Sequence, residues 1–133
     1  MAVTARWFDK QLIKTVYKVG TDAVKKGCFM VEGDAKYFCP VDTGRLRASI
    51  SSNWQGSGMA RGKVGSQATS DDGVGQPDNK SMQLMGVVGT NVEYAARIEY
   101  GFLNKTDKRG RTFFQPATPY LRTALHKNEK KIA

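Results

Sequence analysis

FCPVDTGRLRASI, residues 38–50, separates a long amphipathic run from everything that follows it. Pro40 disfavours helical geometry at Cys39 and lacks the amide that would continue a helical ladder, so a helix arriving from the amino terminus stops here. Asp42 can accept hydrogen bonds from backbone amides two residues on, Thr43 can do the same, and Gly44 can take the positive φ such turns demand. PVDTG therefore predicts a tight turn. Beyond it Leu46, Ala48 and Ile50 alternate with Arg45, Arg47, Ser49 and Ser51, which predicts a half-buried strand with both arginines on its outward face.

Working back toward the amino terminus, the sequence predicts one long amphipathic helix from about Arg6 to about Lys36. Phe8, Leu12, Val16, Val19, Ala23 and Met30 recur at spacings of three, four and seven, and at about 100° per residue they fall within roughly 80° of arc. That stripe is the expected core face. Lys10, Lys14, Lys18, Lys25 and Lys36 cluster on the nearly opposite side, with Asp22 and Glu32 as flanking acids. Such a ridge is either a solvated face or a phosphate-facing one, and in the second case it is blind to base sequence. Gly20, Gly27 and Gly33 each weaken the helix by up to about 1 kcal/mol relative to alanine.

Working forward, residues 52–81 are rich in glycine, serine and aspartate and read as a long loop or flexible hairpin, with Arg61 and Lys63 placed to meet a partner. Asp71-Asp72-Gly73 lacks the further acids of a calcium loop. Met82 to Gly89 is a short apolar strand closed by Gly89-Thr90-Asn91. In VEYAARIEYG, Tyr94, Ala95 and Ile98 share a helical face, and Gly101 supplies the stop. A second loop, 102–118, carries Lys105, Lys108, Arg109 and Arg111 around Asp107, the densest positive patch in the chain. Pro119 then opens a final helix with Leu121, Ala124 and Leu125 facing inward, before NEKKIA frays. The expected architecture is α+β, a single domain over 1–133. A long N-terminal helix packs on a small, mainly antiparallel sheet, joined by a short helix, a C-terminal helix and long basic loops.

With 133 residues and 40% apolar content, the chain can bury one modest core. Its net charge of +9 and pI near 9.7 favour a polyanion or an acidic protein surface as partner. Cys28 and Cys39 belong to no CxxC or Cys/His ligand pattern, which predicts reduced, partly buried thiols in a cytosolic compartment. MAVTARWFDKQLIK lacks the apolar core of a signal peptide, and no run of about 18 apolar residues occurs, which predicts a soluble protein retained by the cell that makes it. Catalytic machinery is hard to assemble from these residues. His126 sits near the tail of the last helix, and no serine or cysteine has an evident base and orienter. A metal nuclease would need Asp42, Glu93 and Glu99 to converge, yet Asp42 is better explained as a turn cap. Neither GxxxxGK[ST] nor GxGxxG is present. No catalytic, cofactor-binding or metal-binding residue is assigned.

FCPVDTGRLRASI, VGTNVEYAARIEYG and PATPYLRTAL, in that order after a long helix, together resemble the small neck or tail-completion proteins of long-tailed bacteriophages, a group that includes relatives of phage lambda's tail-completion protein Z. Pro40, Asp42, Thr43, Gly44, Leu46 and Arg47 match the first phrase of that group; Gly89, Tyr94, Glu99 and Gly101 match the second; Pro119, Leu121 and Ala124 match the third. Tyr120 stands where phenylalanine is common, Ala95-Ala96-Arg97 replaces a stretch that often holds proline, and the loop from Trp54 to Ser81 is long for the group. The resemblance implies a non-enzymatic virion protein, assembled in the host bacterial cytoplasm. It would form a homo-oligomeric ring, typically six-fold, between the head-closure or connector proteins and the tail-tube or tail-terminator proteins. Double-stranded DNA would pass through it with only non-specific contact, and no membrane is involved. Arg45, Arg47, Lys105, Lys108, Arg109, Arg111, Lys10, Lys14 and Lys18 are then the candidate DNA or partner contacts, with the 102–118 loop favoured over the lysine ridge as the channel lining. The other readings are a tail-terminator ring capping the tail tube and a small basic nucleic-acid-binding protein or nuclease.

Overall fold

A computed structural model describes residues 9–54 and 84–133. The expected helix start at Arg6, Phe8, and the 55–83 stretch with Arg61, Lys63, Asp71 and Asp72 lie outside the described residues. In chain order the elements are α1 (Asp9–Phe38), α2 (Arg45–Ser49), β1 (Ser51–Trp54), β2 (Gly86–Gly89), α3 (Ala95–Tyr100), β3 (Phe102–Thr106), β4 (Thr112–Gln115) and α4 (Leu121–Ile132). β1 and β2 pair antiparallel, with Ser51 opposite Gly89 and Trp54 opposite Gly86, and β3 and β4 form a second antiparallel pair. The fold is the α+β arrangement expected, with α1 packed on α4 and on the β1–β2 pair.

α1 buries a different face from the one its strongest apolar stripe predicts. Cys28, Val31 and Ala35 enter the core, while Leu12, Val16, Val19, Ala23 and Met30 are exposed. At about 100° per residue the two faces are roughly 130° apart. The physical reason is close packing. Gly27 lets the Ile132 side chain of α4 lie against the helix, and the small Cys28 and Ala35 side chains let the neighbouring elements approach. Periodicity identifies an apolar face, whereas small residues decide where another backbone can come near.

The lysine ridge is shorter than predicted. Glu32 is buried on that side, takes a hydrogen bond from the Ser52 hydroxyl, and pairs with Lys36 at 2.6 Å. The Lys25 ammonium lies 5.5 Å from the Trp54 ring, which also meets Phe29 edge-on at 5.3 Å. Lys10, Lys14 and Lys18 remain as a solvent-facing row.

The stretch after PVDTG is a short helix and not a strand. Gly44 has φ of 80° and accepts the Ala48 amide at 2.9 Å, and the Ile50 amide reaches the Leu46 carbonyl at 3.3 Å. Leu46 and Ile50 are buried; they fit a spacing of four as well as they fit alternation, so six residues could not decide the period. Ser49, expected outside, is buried, donates to the Leu46 carbonyl at 2.7 Å and hydrogen-bonds Thr90 at 2.6 Å. Arg45 is half-buried and only Arg47 is exposed. α2 opens at Gly44, which has no side chain to cap with, and Asp42 and Thr43 just before it are both exposed.

Two further expectations change. Residues 102–118 contain the β3–β4 hairpin and are not simply a loop, and NEKKI continues α4 where fraying was expected. The second follows from tertiary bonds: buried Asn128 donates to Asp34 at 2.5 Å and to the Ala124 carbonyl at 2.9 Å, and Lys127 reaches Asp34 at 2.8 Å. Ala124 faces the core as expected, Leu121 is half-buried, and Leu125 is exposed. Val31, Ala35, Cys39, Leu46, Ile50, Val92, Ala95, Tyr120 and Ala124 form one apolar cluster between α1, α2, α3 and α4.

A Cβ at position 44 would meet no atom within 4 Å, so the cost of adding one comes from the left-handed backbone. Gly44→Val is expected to destabilise the fold by about 1–3 kcal/mol. A melting temperature within a degree of the parent would contradict this.

Candidate functional site

The three phrases that lie far apart in sequence meet around one buried carboxylate. α4 begins at Pro119-Tyr120 without a polar N-cap side chain, which leaves its first amides unpaired. Glu99, 4% exposed in the last turn of α3, fills that need. Its Oε2 accepts the Tyr120 amide at 2.8 Å and the Leu121 amide at 3.0 Å, and its Oε1 accepts the Arg122 amide at 3.1 Å and Arg122 Nε at 3.2 Å. Arg122 returns to the Glu99 carbonyl at 3.2 Å and stacks 4.9 Å from the Tyr100 ring. Burial alone would raise the Glu99 pKa. The Leu121, Arg122 and Tyr120 amides and the Arg122 guanidinium outweigh it and hold the carboxyl below its ordinary range.

Gly101 closes the same corner. Its φ is 69°, and a Cβ there would come within 2.6 Å of the Ala117 amide nitrogen and 2.7 Å of the Gln115 carbonyl. The Thr118 amide donates to the Ile98 carbonyl at 2.8 Å, so the chain leaves α3 and returns to α4 through a single crossing. Pro40, Asp42, Thr43, Gly44 and Leu46 from the turn, with Tyr94, Ile98 and Thr118, line an open cleft of about 460 Å³ beside it. Of the remaining matched residues, Gly89 is buried at the end of β2, Pro119 precedes the start of α4, and Arg47 is exposed on α2.

This arrangement positions elements and gathers no reactive groups. Glu99 is engaged by amides, Asp42 is an exposed residue of the cleft lining, and Glu93 is exposed just before α3. Among the described residues no three His, Cys, Asp or Glu side chains are grouped to hold a metal. Cys28 and Cys39 are unbridged and buried; burial pushes the Cys39 thiol up to about 11 and raises Cys28 as well, so both are protonated near neutral pH.

From the crossing, the β3–β4 hairpin projects with only marginal packing against the other described elements. Asp107 organises its tip. It accepts the amides of Arg109 and Arg111 at 2.9 Å each and pairs with the Arg111 guanidinium, which lies 5.7 Å from the Phe113 ring. Lys108 and Arg109 are exposed at the tip; Lys105 is in β3 opposite Phe113, and its side chain is outside the described residues. Leu103, Phe113 and Phe114 are all exposed on the strands, and Tyr100 is exposed near their base. A charge count over this segment misses these apolar residues. Their signal was present, since FLNKT and TFFQ are strand-like runs flanking the turn residues Asp107 and Gly110. A two-stranded hairpin with bare apolar side chains is marginal in water, so a covering surface is expected.

Residues 6–101 match the model of the family described as "Bacteriophage HK97-gp10, putative tail-component". The match spans α1 to α3 and ends at Gly101, where the hairpin begins. Comparison with curated proteins and with solved structures finds no match. Among the described residues no helix is long and apolar enough to cross a membrane.

Because the Glu99 pKa is lowered by folding, its contribution to stability is complete above the unfolded glutamate pKa of about 4.3 and is lost as pH falls through the lower folded value. Glu99→Gln is expected to cost about 2–3 kcal/mol at pH 7. The gap between variant and parent should narrow below about pH 4 in melts recorded across pH; a constant gap would contradict the assignment. Tyr120 is wholly buried and its hydroxyl finds no partner among the described residues. Tyr120→Phe is therefore expected to leave stability unchanged or raise it by about 1 kcal/mol, and a clear loss in denaturant titration would reveal a hidden partner.

Proposed function

We propose that this chain, which belongs to the HK97-gp10-like family of bacteriophage tail components, is a structural ring subunit at the junction of head and tail. Copies of it would surround the DNA passage between the head-closure or connector proteins and the tail-tube or terminator proteins. The resemblance of its three phrases to tail-completion proteins supports that position and a six-fold ring. The protein performs no chemistry in this reading; its work is to join and to let DNA through.

The observation that carries the reading is the projecting hairpin. Arg111 is engaged with Asp107 and Phe113, and beyond the two cations at its tip, Lys108 and Arg109, the strands of the arm present Leu103, Phe113 and Phe114 to solvent. Aromatic side chains can stack on unpaired bases, but a duplex offers none, so an apolar arm suits a neighbouring protein better than passing DNA. Lys10, Lys14 and Lys18 form a row of one sign on an exposed helix face. That row suits phosphates, which it would contact without reading bases, and a weak grip of this kind lets DNA slide. The preference drawn from charge density alone, with the 102–118 segment facing DNA, is thereby reversed.

Phage carrying Phe113→Ser and Phe114→Ser should accumulate DNA-filled heads and separate tails of normal length in electron micrographs, with joined particles reduced at least about ten-fold. Replacing Lys10, Lys14 and Lys18 by alanine should leave particles joined but weaken DNA retention. In the purified protein each lost phosphate contact should flatten the slope of log affinity against log salt by about 0.9. Normal yields from the aromatic variant would overturn the joining role, and tails of uncontrolled length would point to the terminator position instead.

A further inference from the structure

α1 keeps a second apolar face that the described core does not use. Leu12, Val16, Val19, Ala23, Met30 and Tyr37 follow steps of four, three, four, seven and seven, with Lys26 and Gly33 in the skipped places. That is the 3.5-residue period of a helix that lies along another helix. All six are exposed, Leu12 by 61%, Val16 by 57%, Val19 by 65% and Tyr37 by 76%. The core-facing side, with Cys28, Val31 and Ala35, is roughly 130° away.

Among the described residues nothing covers this seam, and the segment before residue 9 holds Met1, Val3, Trp7 and Phe8. Between residues 55 and 83 the only large apolar residues are Met59, Val64, Val74 and Met82, scattered among glycines with no matching repeat. The seam does match a second copy of itself. We infer that two copies of this chain pack α1 against α1, antiparallel, along this face.

Charge selects the direction. A parallel pair in register would set Lys26 against its own counterpart. In the antiparallel pair the layers are Leu12 with Tyr37, Val16 with Gly33, Val19 with Met30, and Ala23 with Lys26. Lys26 then packs its stem on a small residue within reach of Asp22. The lysine row, about 160° round the helix from the seam, stays open.

Size sets the strength. From Leu12 to Tyr37 the seam is about 38 Å long, and at a helix diameter of about 10 Å it covers about 400 Å² per copy. The total of about 800 Å² is under the usual range of stable complexes, so the pair forms weakly, and as a two-fold contact it belongs to the free protein in solution and not to a ring of one polarity. The pairing rests on α1 and is independent of where the chain sits in a particle.

Sedimentation equilibrium of the purified protein from about 10 µM to about 1 mM should show reversible dimer formation. Val16→Glu with Val19→Glu should weaken it at least ten-fold while the circular-dichroism melt stays within a degree or two, since both positions are exposed. Mixing a Val19→Cys variant with a Met30→Cys variant under mild oxidation should give the 19–30 disulfide in preference to 19–19. A protein that stays monomeric throughout, association unchanged by the two glutamates, or a dominant 19–19 product would each overturn the proposal.

Discussion

The fold turns on the carboxylate of Glu99 at the start of α4. A helix that opens with proline and tyrosine has no cap of its own, and three of its amides point to one side chain from a different element. That link fixes α4 relative to α3. α4 in turn reaches α1 through Ala124 in the core and through Asn128 and Lys127 on Asp34. Two polar contacts at opposite ends of α4 thus span the apolar cluster between them. The matched phrases of the sequence are the parts that build this corner, which explains why they carry structural residue types and no reactive set.

Buried polar groups do much of the remaining work because the apolar core is small. Ser51, Ser52 and Asn53 form an interior strand with hardly any exposed surface. Such a strand is tolerable only where its hydroxyls find partners, and Glu32 on α1 provides one for Ser52 while binding Lys36. A two-stranded sheet is not stable by itself, so β1 and β2 depend on α1, and α1 acquires its orientation from them. This explains why the helix presents an acid and small side chains to the core and leaves bulkier residues outside.

The α+β class, the long helix, its stop before Pro40, the β2 strand, the α3 stop at Gly101 and the start of α4 were all legible in the sequence, because each rests on a local rule: proline geometry, glycine φ, or a sustained period. Three features were not. The buried face of α1 is not decided by periodicity, because two apolar faces coexist and only tertiary packing selects one. α2 is ambiguous because its apolar residues fit both a period of two, through Leu46, Ala48 and Ile50, and a spacing of four, through Leu46 and Ile50. The hairpin is hidden because its four cations give the segment the composition of a loop, while Leu103, Phe113 and Phe114 are too few to set a clear alternation. In the site, Glu99 could be picked out as a matched residue, but its capping of a helix twenty residues later could not, since that bond depends on how the chain crosses itself.

That crossing has a mechanical consequence. The hairpin leaves and re-enters the body at one point, between Gly101 and the Ile98–Thr118 hydrogen bond, and so behaves as a cantilever fixed at its root. A pull on its tip is delivered as torque to α3 and α4, and the β1–β2 pair, with its own separate ladder, is spared. The Glu99 clamp stands where that torque concentrates, which makes this corner the place where tension between adjoining parts of a particle would first be felt.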